Sequence, residues 1–123
     1  MGTSFVQYNG FGFWARDAVL GDWLTSLSNE LEQLPQIEPW QASLAKHWRE
    51  QSTIDAGCIS VDLDNFITNE AKKAALLSVA RIAIAHSDSS THRTGELFID
   101  LLEGRLKTTA SSPIDYLSGP GTS

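Results

Sequence analysis

The feature that most constrains this chain is the stretch from Asn69 to His86. There Ala71, Ala74, Ala75, Leu76, Leu77, Val79, Ala80, Ile82, Ala83, Ile84 and Ala85 leave almost no polar face. Arg81 and Ser78 interrupt it, and it falls short of the ~20 apolar residues that a membrane-spanning helix needs. A helix apolar nearly all round belongs in the middle of a domain, touched on several sides. This reading predicts a central helix over about 69–86.

The rest of the chain supplies helices to surround it. Leu20, Trp23, Leu24, Leu27, Leu31 and Leu34 recur at helical spacing and form one apolar stripe from Trp14 to Leu34,. Pro35 ends that helix, and Gly21 weakens it by up to ~1 kcal/mol. A second helix starts at Pro39, a residue suited to the first helical position, and carries Trp40, Leu44 and Trp48 on one side,. Leu63, Phe66 and Ile67 suit one short helical turn with Asp62 as its N-cap. Ser87 to Thr94 reads as a polar loop. The last helix covers about Gly95 to Lys107, with Leu97, Phe98, Leu101, Leu102 and Leu106 as its stripe. Residues 54–62 read as a buried connection, because no second strand is available to pair with them.

Residues 1–13 hold Phe5, Tyr8, Phe11 and Phe13 among Gly2, Gly10 and Gly12. Glycines this dense argue against a helix. The stretch is expected to be an ordered arm packing its rings onto the body; an exposed contact surface is the alternative. The predicted architecture is therefore all-α. It is a single-domain bundle of four to five helices around the central one, with an aromatic arm at 1–13, the bundle at 14–107 and a partly flexible tail at 108–123. The length of 123 residues suits one domain,.

Composition excludes more chemistry than it offers. The net charge of -6 argues against nucleic-acid or anionic-membrane binding,. A single cysteine, Cys58, forms no internal disulfide and no multi-cysteine zinc site,. No basic, then apolar, leader opens the sequence, so a cytoplasmic protein is expected. Asp62, Asp64 and Asn65 cluster as in a calcium loop, but Phe66, Ile67 and Lys73 stand where a ligand, a glycine and a glutamate are required. His47 and Glu50 are a metal pair in reversed order and without a second motif, and are read as a surface pair. Cys58 with His47, His86 or His92 as a nucleophile and base is weighed and set aside, since Gly57 and Ile59 make an apolar setting. No cofactor, no metal and no catalytic residue is expected.

What remains is where the acid falls. Asp17, Asp22, Glu30, Glu32 and Glu38 face only Arg16 in residues 1–40, and Asp55, Asp62 and Asp64 are unopposed in 53–68. If the first helix lies beside the 54–64 connection, the two regions make one acidic surface that would steer a basic protein.

Gly12-Phe13-Trp14-Ala15-Arg16-Asp17 with Leu20, Trp23 and Leu24, then Trp48, Gly57-Cys58 and Leu63-Asp64-Asn65-Phe66-Ile67, resemble a group of small uncharacterised bacterial helical proteins over about residues 8–85. Some proteins of this style resemble immunity proteins of bacterial toxin systems. The resemblance implies a non-catalytic binding protein that neutralises a basic toxin. Asp55, Asp62 and Asp64 are the expected charged contacts, and Trp14 and Arg16 the expected anchors. The alternatives are a homo-oligomeric structural or adaptor protein, a homodimer through residues 5–14 included, and a small enzyme or ligand carrier with a pocket near Cys58, His47 or Trp48.

Overall fold

The computed structural model describes residues 2–53 and 59–109. The expected Cys58 and Asp55, and the expected tail from residue 110 on, lie outside them. The chain begins with two strands, β1 (Thr3–Tyr8) and β2 (Phe11–Arg16). Five helices follow: α1 (Asp17–Glu32), α2 (Pro39–Gln51), α3 (Leu63–Phe66), α4 (Glu70–Ala85) and α5 (Ser89–Leu102). The all-α expectation is thus corrected: the fold is mixed, mostly helical, with a two-stranded antiparallel sheet where the sequence reading expects only an ordered aromatic arm.

The physical reason is a turn. Asn9 and Gly10 join the strands with φ of 54° and 88°. Two consecutive positive φ values are what a two-residue hairpin turn of matching twist requires, and Asn-Gly is the dipeptide that adopts them most readily. Pairing runs from Tyr8↔Phe11 to Thr3↔Arg16. One face of the ribbon carries Ser4, Val6, Phe13 and Ala15, all buried in the core; the other carries Phe5, Gln7, Trp14 and Arg16. The strand absorbs Trp14, Ala15 and Arg16, so the first helix starts at Asp17 rather than Trp14.

The centre of the molecule is α1 and not the alanine-rich helix. α1 packs against α2, α4, α5 and β2, and Leu20, Trp23, Leu24, Leu27 and Leu31 are fully buried along it. α4 buries only Leu76, Leu77, Val79, Ala80 and Ala83. Ala71, Ala74 and Ala85 are exposed, and Ile82 is 47% exposed. Alanine decides this: its one methyl group loses little by facing water, so an alanine-rich helix has no compulsion to be covered on every side.

α5 begins earlier than the apolar stripe indicates. Asp88 is its N-cap, and the carboxylate accepts the Ser90 and Thr91 N–H groups at 3.1 and 3.0 Å. Most of the expected polar loop, from Ser89 to Thr94, is therefore the start of this helix, with Thr91 and Thr94 buried on its inner side. It ends at Leu102 because Gly104 takes φ of 80°, the left-handed conformation that closes many helices. Arg105 and Lys107 consequently lie beyond the helix, and Arg105 reaches back to Asp100 at 2.7 Å.

The Asp88 cap sets a pH dependence. Hydrogen bonds from Ser90 and Thr91 hold its carboxyl below the ordinary aspartate range. A carboxyl with a lowered folded-state pKa contributes stability that is present above its unfolded value, about 3.9, and is lost as pH falls through the folded value. Asp88→Asn keeps an acceptor oxygen but cannot titrate. It is expected to flatten the acid side of a Tm-versus-pH curve, and an unaltered curve would exclude the cap as its source.

Gly95 is the contact point of α5 with α1. A Cβ there would stand 2.9 Å from the Trp23 ring and 3.1 Å from Ile84 Cδ1. Trp23 is fully buried and edges against Phe98 at 5.6 Å, so it has no room to withdraw. Gly95→Ala gains about 1 kcal/mol of helix propensity and meets an overpacking cost of about 1–3 kcal/mol. A net loss is expected as a lower urea midpoint, against the sign that propensity alone gives.

Candidate functional site

A cleft of about 370 Å³ opens between the sheet and the segment 59–65, lined by Phe5 and Gln7 on one side and by Ser60, Asp62, Asp64 and Asn65 among others on the facing side. Two hydrogen bonds hold its walls together. Ser4 Oγ accepts the Ile59 N–H at 3.1 Å in the core. Asp64 Oδ1 accepts the Asn9 N–H at 2.9 Å on the surface.

The buried end is anchored further. Ser4 Oγ donates to Asp17 Oδ1 at 2.7 Å. Asp17 is the first residue of α1, where the positive end of the helix dipole favours a carboxylate. Through Ser4, the start of α1 is tied to Ile59. Asp17 is only 3% exposed and adds no charge to the expected acidic surface. At the other end of the helix, Glu32 pairs with Arg49 at 2.6 Å and Glu30 lies 3.4 Å from His86 Nδ1. Hydrogen bonding to Arg49 holds the Glu32 carboxyl below its ordinary range. The acidic face at the cleft thus reduces to Asp62 and Asp64.

α2 fixes the facing wall. Trp48 Nε1 donates to the Val61 carbonyl at 2.9 Å and is fully buried. His47 Nε2 donates to the Ser60 carbonyl at 2.9 Å and stands 2.8 Å from Asp62 Oδ2. Gln51 Oε1 accepts the Ser60 N–H at 2.8 Å, and Ser60 Oγ donates to Asp62 Oδ1 at 2.8 Å. These three donors and acceptors, spaced along one helix, hold a segment that has no regular structure of its own. Asp62 does occupy the N-cap position of α3, but with φ of 56° and no capping bond from its side chain. Its carboxylate faces His47 and Ser60 instead, which corrects the capping role expected for it.

The expected contact residues divide as follows. Asp62 and Asp64 line the cleft together. Trp14 stands opposite Phe5 across the ribbon, with ring centroids 5.2 Å apart, and is half-buried. Arg16 is exposed two residues further along the same face. The sequence reading missed Phe5 and Gln7 as cleft residues, and His47 as the residue that orients Asp62. Alternation about the Asn9-Gly10 turn was the signal that could have placed Phe5 and Gln7 on the outward face.

Among the described residues, no group of three or more His, Cys, Asp or Glu side chains is placed to hold a metal ion, and no helix is long and apolar enough to cross a membrane. The chain matches no protein-family model, and neither a curated protein nor a solved structure is significantly similar to it.

Proposed function

We propose that the protein is a non-catalytic binding module of the immunity type, acting in the cytoplasm, that uses the cleft to engage a basic partner protein such as a toxin domain. The observation that carries this reading is the pairing of two carboxylates, Asp62 and Asp64, with an aromatic ring, Phe5, around one cleft lined by no lysine or arginine among the described residues. A lysine or arginine entering it meets carboxylates and an aromatic ring, two groups that attract a cation. Phe5 is backed by Trp14, and the carboxylate wall is held by α2, so the contact is organised before binding.

Chemical cross-linking in the producing cell, followed by purification, is expected to yield a 1:1 complex with a protein carrying a basic surface. Its association rate should fall as salt is added. Asp62→Asn with Asp64→Asn should slow association and weaken the complex by about 1–3 kcal/mol. An acidic partner, or a rate indifferent to both salt and the two substitutions, would overturn the reading.

Self-association is the second reading, and the outward Phe5–Trp14 pair favours it, since half-buried aromatic rings are common interface anchors. Sedimentation of the chain and of Trp14→Ser separates the two: a monomer in both removes self-association.

A further inference from the structure

We propose that the partner engages the cleft through an extended, lysine- or arginine-rich segment that adds to the outer edge of β1 as a third strand. The proposal rests on the basic-partner reading for the sign of the charge and on the ladder for its geometry.

The ladder shows which backbone groups are unused. Gly12 directs its N–H away from β1, to the Thr108 carbonyl at 2.8 Å, and its own carbonyl accepts the Thr108 Oγ1–H at 2.6 Å. Gly12 is therefore in a non-hydrogen-bonded pair with its register partner Gln7,. Alternation makes Phe5↔Trp14 another such pair, so the N–H and C=O of Phe5 and Gln7 point out from the ribbon. Thr108 covers the β2 edge at Gly12. On the β1 edge, the main-chain groups of Phe5 and Gln7 bond to nothing among the described residues, and both residues line the cleft.

Across the cleft, residues 59–64 run in the same direction as β1, tied at Ser4–Ile59 and at Asn9–Asp64. They lie alongside the edge without pairing to it. A strand edge facing a groove is a template for an incoming extended chain, in which main-chain hydrogen bonds supply affinity and alternate side chains supply specificity. Asp62 and Asp64 on the groove wall, with no lysine or arginine opposing them there, select a basic segment.

The test uses the full chain with nitrogen-15 labelling and a capped synthetic peptide, Lys-Thr-Lys-Val-Lys-Thr-Lys. Hydrogen exchange at the Phe5 and Gln7 amides should slow by about tenfold on peptide addition. Val6 and Tyr8, already bonded to β2, should stay as they are. N-methylation of alternate peptide amides should abolish the protection, and Asp62→Asn with Asp64→Asn should weaken binding by about tenfold. A peptide that binds in a salt-dependent way but leaves Phe5 and Gln7 unprotected overturns strand addition while leaving the basic-partner reading intact. A peptide that fails to bind also overturns strand addition; the cross-linking result then decides the broader reading alone.

Discussion

Trp48→Ala is expected to leave the protein largely unfolded at 37 °C. Trp48 is fully buried, and its ring edges against Phe98 at 6.2 Å. Truncating a buried tryptophan to alanine costs about 3–5 kcal/mol in transfer and cavity terms. The Val61 carbonyl, which accepts the indole N–H and is itself in a buried residue, is then left without its partner at a further cost of about 1–3 kcal/mol. Domains of this size are stable by about 5–15 kcal/mol, so the sum consumes most of the margin. Trp48→Phe separates the two parts. It restores most of the ring volume but not the hydrogen bond, and should fall between wild type and Trp48→Ala in a urea titration. Because Val61 precedes Asp62, Trp48→Phe should also loosen the cleft wall. That is measurable as faster amide exchange at Val61 and Asp62. Equal stability of Trp48→Ala and wild type would contradict the packing described above.

Gly12→Ala is expected to be the most damaging single methyl group in the protein. A Cβ at residue 12 would lie 2.1 Å from the Val6 carbonyl oxygen and 2.8 Å from the Phe5 ring. The ring can swing aside; the carbonyl cannot, because Val6 belongs to the paired strand and its side chain is fully buried. The ribbon must open locally, and the loss should reach or exceed the upper end of the usual overpacking range of about 1–3 kcal/mol. Gly10→Ala is the internal control. Gly10 has φ of 88° but nothing within 4 Å of a Cβ, so it should cost only the left-handed penalty of about 1–2 kcal/mol. Thermal melts of the three proteins should rank wild type, then Gly10→Ala, then Gly12→Ala. The reverse order would mean that the close approach at Gly12 is not rigid. Since Phe5 lines the cleft, Gly12→Ala should also impair partner binding even in the folded fraction.

Much of the helical framework was legible because apolar spacing reports burial directly. The stripe from Leu20 to Leu31 and the start of α2 at Pro39 appear where the periodicity and the proline put them. The start of α5 was missed because Ser89, Ser90, Thr91 and His92 carry no apolar period, although Asp88 ahead of them is a strong capping residue. Its end was misplaced for a related reason: Leu106 continues the spacing by chance, while Gly104 ends the helix through a backbone conformation that side-chain pattern does not record. The hairpin was hidden by its glycines. In the sequence Gly10 and Gly12 argue only against a helix, yet one sits in a turn that needs positive φ and the other sits under Phe5 with no space for a side chain. In the sequence, charge alone singles out Asp62 and Asp64. Their place in one cleft follows from Trp48, His47 and Gln51 holding residues 60 and 61, contacts made across about a dozen residues of chain that no local pattern encodes.

By itself, the sequence determined the apolar stripe of α1, the start of α2 and the extent of α4, because those follow from residue type and a fixed period. It also determined the acidic excess. The tertiary structure alone decided which helix is central. Burial is a competition among faces, and the large side chains of α1, Trp23 and four leucines among them, lose more in water than the alanines of α4. It alone decided, too, which of these acids meet at the cleft. Asp17 is drawn into the core by Ser4, and Glu32 is paired by Arg49 from another helix. Asp62 and Asp64 are left lining the cleft beside β1, because the segment that carries them is held from behind by α2.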